Sequence, residues 1–152
     1  GVRHVYLEGL TEENRDQFLN NIDQMRAFEQ HLPPGETGVE LLMLEEHHHQ
    51  KLLVGAAGRL LLAGEPIDVL AVDDAELHAA ANPVVNGKVQ LDLGKQAERE
   101  AAMARRIAAD GHRLAVLVCG GAHELGAELG RTRPAVEYIR VSTKTFLQLV
   151  QE

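Results

Sequence analysis

The chain has 152 residues, 45% of them hydrophobic, which is enough for one domain with a sizeable core and too little for two ordinary domains. Its net charge of −8, from 23 acidic and 15 basic residues with no basic stripe, disfavours nucleic acid and anionic lipid as partners. No apolar run reaches the roughly 18 residues of a membrane span. Cys119 is the only cysteine, which suits a reducing compartment, and we expect a cytoplasmic protein. We expect one α/β domain, and its opening without an initiator Met is compatible with a fragment of a longer protein.

The first part of the sequence predicts one strand followed by two long helices. The run "HVYLEG" predicts a strand that ends near Glu8, and Thr11 is the expected N-cap of a helix over residues 12–31. The prolines and glycines of "LPPGETG" end that helix. A second helix is predicted from Val39 to Ala63, in which the small Gly55 and Gly58 are expected to let another backbone approach closely.

The middle of the sequence predicts a strand, a short helix, a hairpin and a long helix. The strand "IDVLAV" is followed by Asp73 and Asp74, either of which can cap the short helix "AELHAAA". The turn dipeptide Asn86-Gly87 predicts a loop or small hairpin. The helix "KQAEREAAMARRIAAD" is expected to end at Gly111.

The last part predicts two more strands, each followed by a helix. The uninterrupted apolar run "RLAVLVCGG" is typical of a strand buried on both faces in the middle of a parallel sheet, and "AHELGAELGR" predicts a short helix after it. The run "AVEYIRV" predicts the last strand and "STKTFLQLVQE" a terminal helix. Because strands and helices alternate, we predict an α/β fold with a mainly parallel sheet of about four strands and helices on both faces.

Ionisable residues follow three of the predicted strands. Because ligands of open parallel sheets bind at the carboxyl ends of the strands, we expect Glu8, Asp73, Asp74 and His123 to share one rim. The glycines at positions 120 and 121 predict a sharp turn with exposed amide groups near the start of the next helix, a geometry that suits an anion or a polarised carbonyl. The positive end of that helix would favour the neutral imidazole of His123.

Each of these residues also has a structural interpretation. His123 is compatible with an ordinary residue at the start of a helix, Asp73 and Asp74 with helix capping, and Glu8 with a solvated or salt-bridged carboxylate. The run "EEHHHQ", residues 45–50, is mostly a polar helix face, because consecutive histidines point in different directions around a helix. The sequence therefore assigns no metal site, and the cofactor stays open.

The second half of the chain resembles a known superfamily. Residues 97–126, "AEREAAMARRIAADGHRLAVLVCGGAHELG", resemble a block of the superfamily that contains the haem-binding lipoprotein ChaN, the erythromycin esterases and the TraB/Tiki proteins. The shared features are an Arg-x-x-x-Met-Ala helix, an apolar strand and a glycine-rich turn bearing His, and "VYLEG" is similar to an early strand of these families. The resemblance covers about two-thirds of the chain and implies that Glu8, Arg99 and His123 lie around an active or ligand-binding site.

The sequence departs from this superfamily at its beginning. Members usually open with a strand and a Gly-x-x-His or Gly-Glu-x-His turn that supplies a second essential histidine, and no such segment precedes "VYLEG". His4 lies inside the predicted strand and does not replace it. Either an opening strand is missing and the intact protein is a hydrolase, or this branch has abandoned catalysis.

Two hypotheses follow. In the first, the domain carries out hydrolysis or proton transfer, with His123 as general base or metal ligand, Glu8 as its partner, Arg99 orienting a carboxylate and the Gly120 and Gly121 amides stabilising an oxyanion. In the second, the same rim holds a small molecule without catalysis, or exposed helices pair with another subunit to form a homo-oligomer. The substrate stays open in both.

Overall fold

The computed structural model describes residues 1–82, 84–85, 87–120 and 123–142. Within these residues the chain forms five strands: β1 (His4–Leu7), β2 (Asp68–Ala71), β3 (Val84–Val85), β4 (Lys88–Val89) and β5 (Ala115–Val118). The same residues form six helices: α1 (Glu12–Glu29), α2 (Gly38–Leu53), α3 (Gly55–Leu62), α4 (Ala75–Ala80), α5 (Leu93–Asp110) and α6 (Gly126–Thr132). None of these helices combines the length and the hydrophobicity needed to cross a bilayer.

The chain divides into two compact units. The first comprises residues 1–71 and 114–118, and the second comprises residues 72–113 and 119–152. The predicted α/β class is confirmed, with a three-stranded parallel sheet in place of the predicted four strands. The prediction of one domain stays a prediction.

The first unit is built on the parallel sheet, whose strand order is β2-β1-β5. Strand β1 lies in the middle, and its Tyr6 is completely buried. The apolar core beside it consists of Val5, Leu10, Ala57, Val69 and Ala71. The prediction that "RLAVLVCGG" forms the middle of the sheet was wrong. Among the described residues its strand, β5, pairs only with β1, and Val116 is 39% exposed.

Local capping fixes the start of α1, and an arginine fastens this helix to the sheet. The Thr11 hydroxyl accepts a hydrogen bond from the Asn14 backbone N–H, and the Asn14 side chain accepts one from the Thr11 N–H, which confirms Thr11 as the N-cap. The guanidinium of Arg15 donates to the carbonyl oxygen of Val69 at 2.8 Å and to the carboxylate of Asp68 at 3.0 Å. The amphipathic helix α1 is thereby held against β2.

The single helix predicted over Val39–Ala63 is two helices. Helix α2 ends at Leu53 and α3 begins at Gly55, whose φ of +67° is left-handed and readily adopted only by glycine. Helical periodicity continues through the break, so hydrophobic spacing alone does not reveal it. Helix α2 buries none of its residues, unlike α1 and α3.

The atoms that lie closest to Gly58 belong to side chains and not to the second backbone that the sequence led us to expect. A Cβ at this position would lie 2.6 Å from the Cβ of Val54 and 3.2 Å from Cδ1 of Ile22, which belongs to α1. We expect Gly58→Ala to lower the free energy of unfolding by about 1–3 kcal/mol, because Val54 Cβ is fixed to the backbone and cannot turn away. Urea unfolding measures this effect. In the control, Gly130→Ala, the new methyl group meets open space in α6, and the change should be neutral or stabilising by up to about 1 kcal/mol. Equal effects of the two substitutions would contradict the steric explanation.

A salt bridge connects α1 to α2. The Glu29 carboxylate accepts a hydrogen bond from Lys51 Nζ at 2.6 Å and lies 3.3 Å from Nε2 of His47. The Lys51 ammonium lowers the pKa of Glu29 below its ordinary value of 4.5; burial opposes this shift and His47 adds to it. His47 also packs its ring on Phe28, so one of the three consecutive histidines is part of the helix contact.

The lowered pKa of Glu29 predicts a pH-dependent contribution to stability. A carboxyl group with a lower pKa in the folded state stabilises the protein above its unfolded pKa, and this stabilisation disappears as the pH falls through the folded pKa. We expect Lys51→Met to cost less than about 1 kcal/mol at neutral pH, because both side chains are partly exposed, and to cost nothing in acid well below pH 4.5. Urea unfolding at both pH values, with the exposed Lys88→Met as control, tests this; a pH-independent cost would contradict the assignment to Glu29.

The second unit contains α4, the small hairpin, α5 and α6. Asp74 is the N-cap of α4 and accepts hydrogen bonds from the backbone N–H groups of Glu76 and Leu77. Strands β3 and β4 pair antiparallel, as the predicted hairpin requires, and Gly87 has a φ of +71°; its neighbour Asn86 lies outside the described residues. Gly111, with a φ of +68°, ends α5 as predicted.

The segment that follows α6 differs from the prediction. Residues 135–141, predicted as the last strand, form no strand, and Ile139 and Val141 are 73% and 89% exposed. The segment instead contacts the start of α6, where a Cβ on Gly126 would lie 2.9 Å from the Tyr138 ring and Arg140 bonds the Glu124 carboxylate at 3.0 Å. The β-branched residues of this segment therefore predicted a strand that residues 135–141 do not form. The predicted terminal helix falls on residues 143–152, outside the described residues.

Candidate functional site

The predicted site residues occur at four places along the chain. Asp73 and Asp74 lie between β2 and α4, Arg99 lies in the middle of α5, and His123 precedes α6. These four residues belong to the second unit. Glu8 follows β1 in the first unit, where its backbone N–H donates to the carbonyl oxygen of Val118 at 3.0 Å. A shared rim for Glu8 and His123 stays a prediction.

Asp73 and Arg99 form a buried ion pair. Arg99 Nε donates to Asp73 Oδ1 at 2.6 Å, and Arg99 Nη2 donates to Oδ2 at 2.7 Å. Asp73 is 1% exposed and Arg99 6% exposed. This two-bond geometry is the strongest arrangement of a guanidinium and a carboxylate, and it fixes both side chains. The carboxylate that Arg99 orients in this structure is therefore that of Asp73.

A histidine of α4 lies beside this ion pair. Nδ1 of His78 is 3.7 Å from Asp73 Oδ2, which is beyond hydrogen-bonding distance. The atom is buried and has no hydrogen-bond partner among the described residues, although the His78 side chain as a whole is 44% exposed. Asp73 and Asp74 thus differ in role, since Asp73 meets two basic side chains and Asp74 caps the helix.

His123 is held by two polar side chains of α5. Its Nδ1 lies 3.0 Å from Glu100 Oε1 and 2.7 Å from Gln96 Nε2, and the Gln96 amide donates to the same Glu100 oxygen at 3.0 Å. His123 is 6% exposed. The Glu100 carboxylate can only accept a hydrogen bond and the Gln96 Nε2 group can only donate one, so a bond to Glu100 requires a proton on Nδ1 and leaves the 2.7 Å contact with Gln96 without a hydrogen bond. The arrangement is that of a histidine oriented by a carboxylate.

The start of α6 differs from the prediction. This helix begins at Gly126, and Leu125 precedes it without a side-chain cap, so His123 lies in the connection before the helix and not in its first turn. The backbone N–H of His123 donates to the carbonyl oxygen of Gly120 at 3.2 Å. Gly121, the second glycine of the predicted oxyanion site, lies outside the described residues. The side chains that contact the imidazole ring are Glu100 and Gln96, and the predicted effect of the helix end on its protonation stays a prediction.

Sequence reasoning missed Glu100 and Gln96. The signal that could have found them is the spacing of Gln96, Arg99, Glu100 and Met103, which recur at i, i+3, i+4 and i+7 on one face of α5. Met103 is fully buried, so this face points inward and its polar members need partners. A Gln, Arg and Glu on the buried face of one helix predict a polar network.

Metal ligands are not clustered in the part of the chain that the structure describes. No group of three or more His, Cys, Asp or Glu side chains is arranged there to hold a metal ion. The "EEHHHQ" run follows its polar interpretation, since His47 binds Glu29 while His48 and His49 are exposed.

Comparison with known proteins gives no relative. No protein-family model, no curated protein and no solved structure matches this chain. The superfamily resemblance therefore depends on the residues themselves, and what it implies for function is a proposal.

Proposed function

We propose that the second unit carries a proton-transfer site of a hydrolase related to the ChaN, erythromycin-esterase and TraB/Tiki superfamily, with His123 as the general base. The observation that carries this proposal is the buried His123, whose Nδ1 lies 3.0 Å from the Glu100 carboxylate. A carboxylate on one ring nitrogen holds the imidazole in one orientation and stabilises the positive charge that forms when the other nitrogen takes a proton.

The burial pattern of α5 supports the superfamily resemblance. The residues that this helix buries are Arg99, Met103 and Ala104, and these are the defined positions of the Arg-x-x-x-Met-Ala motif. Arg99 holds Asp73, and the next residue, Glu100, holds His123. The motif thus supplies the rigid support on which the histidine is positioned, with Glu100 in the partner role that the sequence had assigned to Glu8.

A second candidate is a non-catalytic domain that binds a small molecule. The contacts among Gln96, Glu100 and His123 favour it, because polar contacts between side chains inside a protein are also typical of a structural network. The two candidates differ in turnover, so a hydrolysis assay separates them.

The test is hydrolysis of a panel of activated esters and lactones. We expect saturable turnover that His123→Gln lowers by about 100-fold or more, since general base catalysis contributes that much. Exposed imidazoles also cleave activated esters, so the control is the double variant His48→Ala and His49→Ala, which should keep full activity. Activity that survives His123→Gln and disappears in the control would reject the enzyme hypothesis. The absence of turnover in the wild-type protein would leave the binding domain as the function.

A further inference from the structure

The first unit exposes an apolar face on α2. Val39, Leu42 and Leu53 are 69%, 66% and 71% exposed, and Met43 is 47% exposed. A helix of 16 residues is marginal by itself in water and ordinarily depends on packing of its apolar face, which α2 does not bury in the described structure. Contiguous exposed apolar patches on soluble proteins commonly mark interaction sites.

This face forms one wall of a groove. The opposite wall is α1, which contributes Met25 and Phe28, and the groove has a volume of about 760 Å³. Its lining also includes polar residues between the apolar ones, on α2 Glu46, His47 and Gln50. A groove between two helices with apolar and polar lining is a shape that receives an amphipathic helix.

The α2 sequence is complementary to itself when two copies run antiparallel. Positions 39, 42, 46, 49 and 53 have the a/d spacing of a heptad repeat, and antiparallel helices place a residues opposite d residues. In that register Leu42 faces Leu53 of the second copy. Glu46 then faces His49 of the second copy, and the two-fold axis repeats both contacts.

We propose that a second copy of this chain packs on the exposed face of α2 that borders the groove, with its α2 antiparallel to the first. A Leu42–Leu53 contact lies at each end of the interface, and two Glu46–His49 pairs lie between them. In each pair the imidazole of His49 donates a hydrogen bond to the carboxylate of Glu46. Glu46 is exposed and accepts a bond from Gln50 on its own helix, and His49 is exposed, so both can take part in a contact. The contact therefore joins α2 of one copy to α2 of the other.

The dimer is measured by sedimentation velocity over a concentration series of the whole chain. Leu42→Glu should raise the dissociation constant by about 30-fold or more, because a carboxylate enters the interface at two symmetric positions. The matched control is Leu41→Glu, an equally exposed position on another side of α2 that should leave the constant unchanged. A wild-type chain that is monomeric at every concentration, or a dimer insensitive to Leu42→Glu, overturns the proposal.

A mixture of two charge variants tests the antiparallel pairing of Glu46 with His49, and a loss of folding in either variant would not imitate the expected result. Glu46→Lys alone places two cationic or basic groups together, and His49→Glu alone places two carboxylates together, so each should weaken its own dimer about tenfold. An equimolar mixture of the two variants should associate as tightly as the wild type, because each substituted helix then meets its complement. A mixture that associates no better than either variant alone overturns the antiparallel pairing. Circular dichroism of each diluted variant checks that α2 is retained.

Discussion

Asp73→Asn is expected to lower the free energy of unfolding by about 3–5 kcal/mol. The carboxylate of Asp73 is fully buried and makes two bonds to Arg99, whose side chain is 7% exposed. Asparagine has nearly the same size but no charge, so the substitution removes the negative charge that faces the buried Arg99 guanidinium. Urea or thermal unfolding at neutral pH measures the loss.

The neighbouring residue provides a matched control. Asp74→Asn is the same chemical change one position later, but Asp74 acts as an N-cap, a position at which asparagine performs as well as aspartate. We expect a change below about 0.5 kcal/mol. If Asp73→Asn were equally mild, the charge of Asp73 would contribute little to the stability of the folded protein.

A double variant that removes the charges of both Asp73 and Arg99 distinguishes a role of the ion pair in folding from a role in activity. Replacing a buried ion pair by apolar residues of similar size is often neutral, so Asp73→Leu combined with Arg99→Met should cost less than Asp73→Asn alone. If the pair serves to position α5 for the chemistry at His123, hydrolysis should fall in the double variant even where folding is retained. A stable and fully active double variant would assign the pair to folding alone.

The parts of the fold that the sequence predicted depend on local chemistry. Thr11 and Asp74 cap their helices through bonds that reach two or three residues along the chain, and Gly111 ends α5 in a left-handed conformation. These preferences act within one turn of a helix, so the residue types alone reveal them.

The parts that the sequence missed depend on distant partners. An apolar run indicates that a strand has hydrophobic residues on both faces of the sheet. It does not indicate how many neighbouring strands there are, and β5 has one neighbour, β1, in the described sheet. Residues 135–141 have the composition of a strand, yet Tyr138 packs on Gly126 and no strand forms. Pairing partners are chosen by the whole chain, and single-sequence patterns do not contain that choice.

The candidate site was predicted in part for the same reason. The sequence marked Asp73, Arg99 and His123, which are among the buried polar residues, and left open which aspartate caps a helix. It did not identify the contacts of Gln96 and Glu100 with His123. These two α5 residues look like surface residues until the buried face of the helix is known. Polar networks follow from packing, so their membership becomes visible only with the tertiary structure.

Glu100→Gln is expected to lower kcat by about 10²–10⁴-fold on any ester that the wild-type protein hydrolyses, while KM changes little. Glutamine fits the same space but carries no negative charge to stabilise the imidazolium of His123, and its amide can present a donor to Nδ1 and favour the wrong tautomer. Glu100 is a positioning residue in this scheme, since it acts through His123. Both the maximal kcat and the shape of its pH dependence should therefore change. A loss of structure alone would lower kcat without changing the shape of the pH profile.

The control is Glu98→Gln, the same change two residues earlier at an exposed position of α5. It should leave both kcat and the pH profile unchanged, because the Glu98 side chain lies on the solvent side of the helix. Thermal unfolding of both variants shows how much of any loss comes from stability. If Glu100→Gln kept kcat within about twofold of the wild type, His123 would not depend on the carboxylate for proton transfer. The contacts among Gln96, Glu100 and His123 would then be a structural network, and the binding domain would be the better assignment.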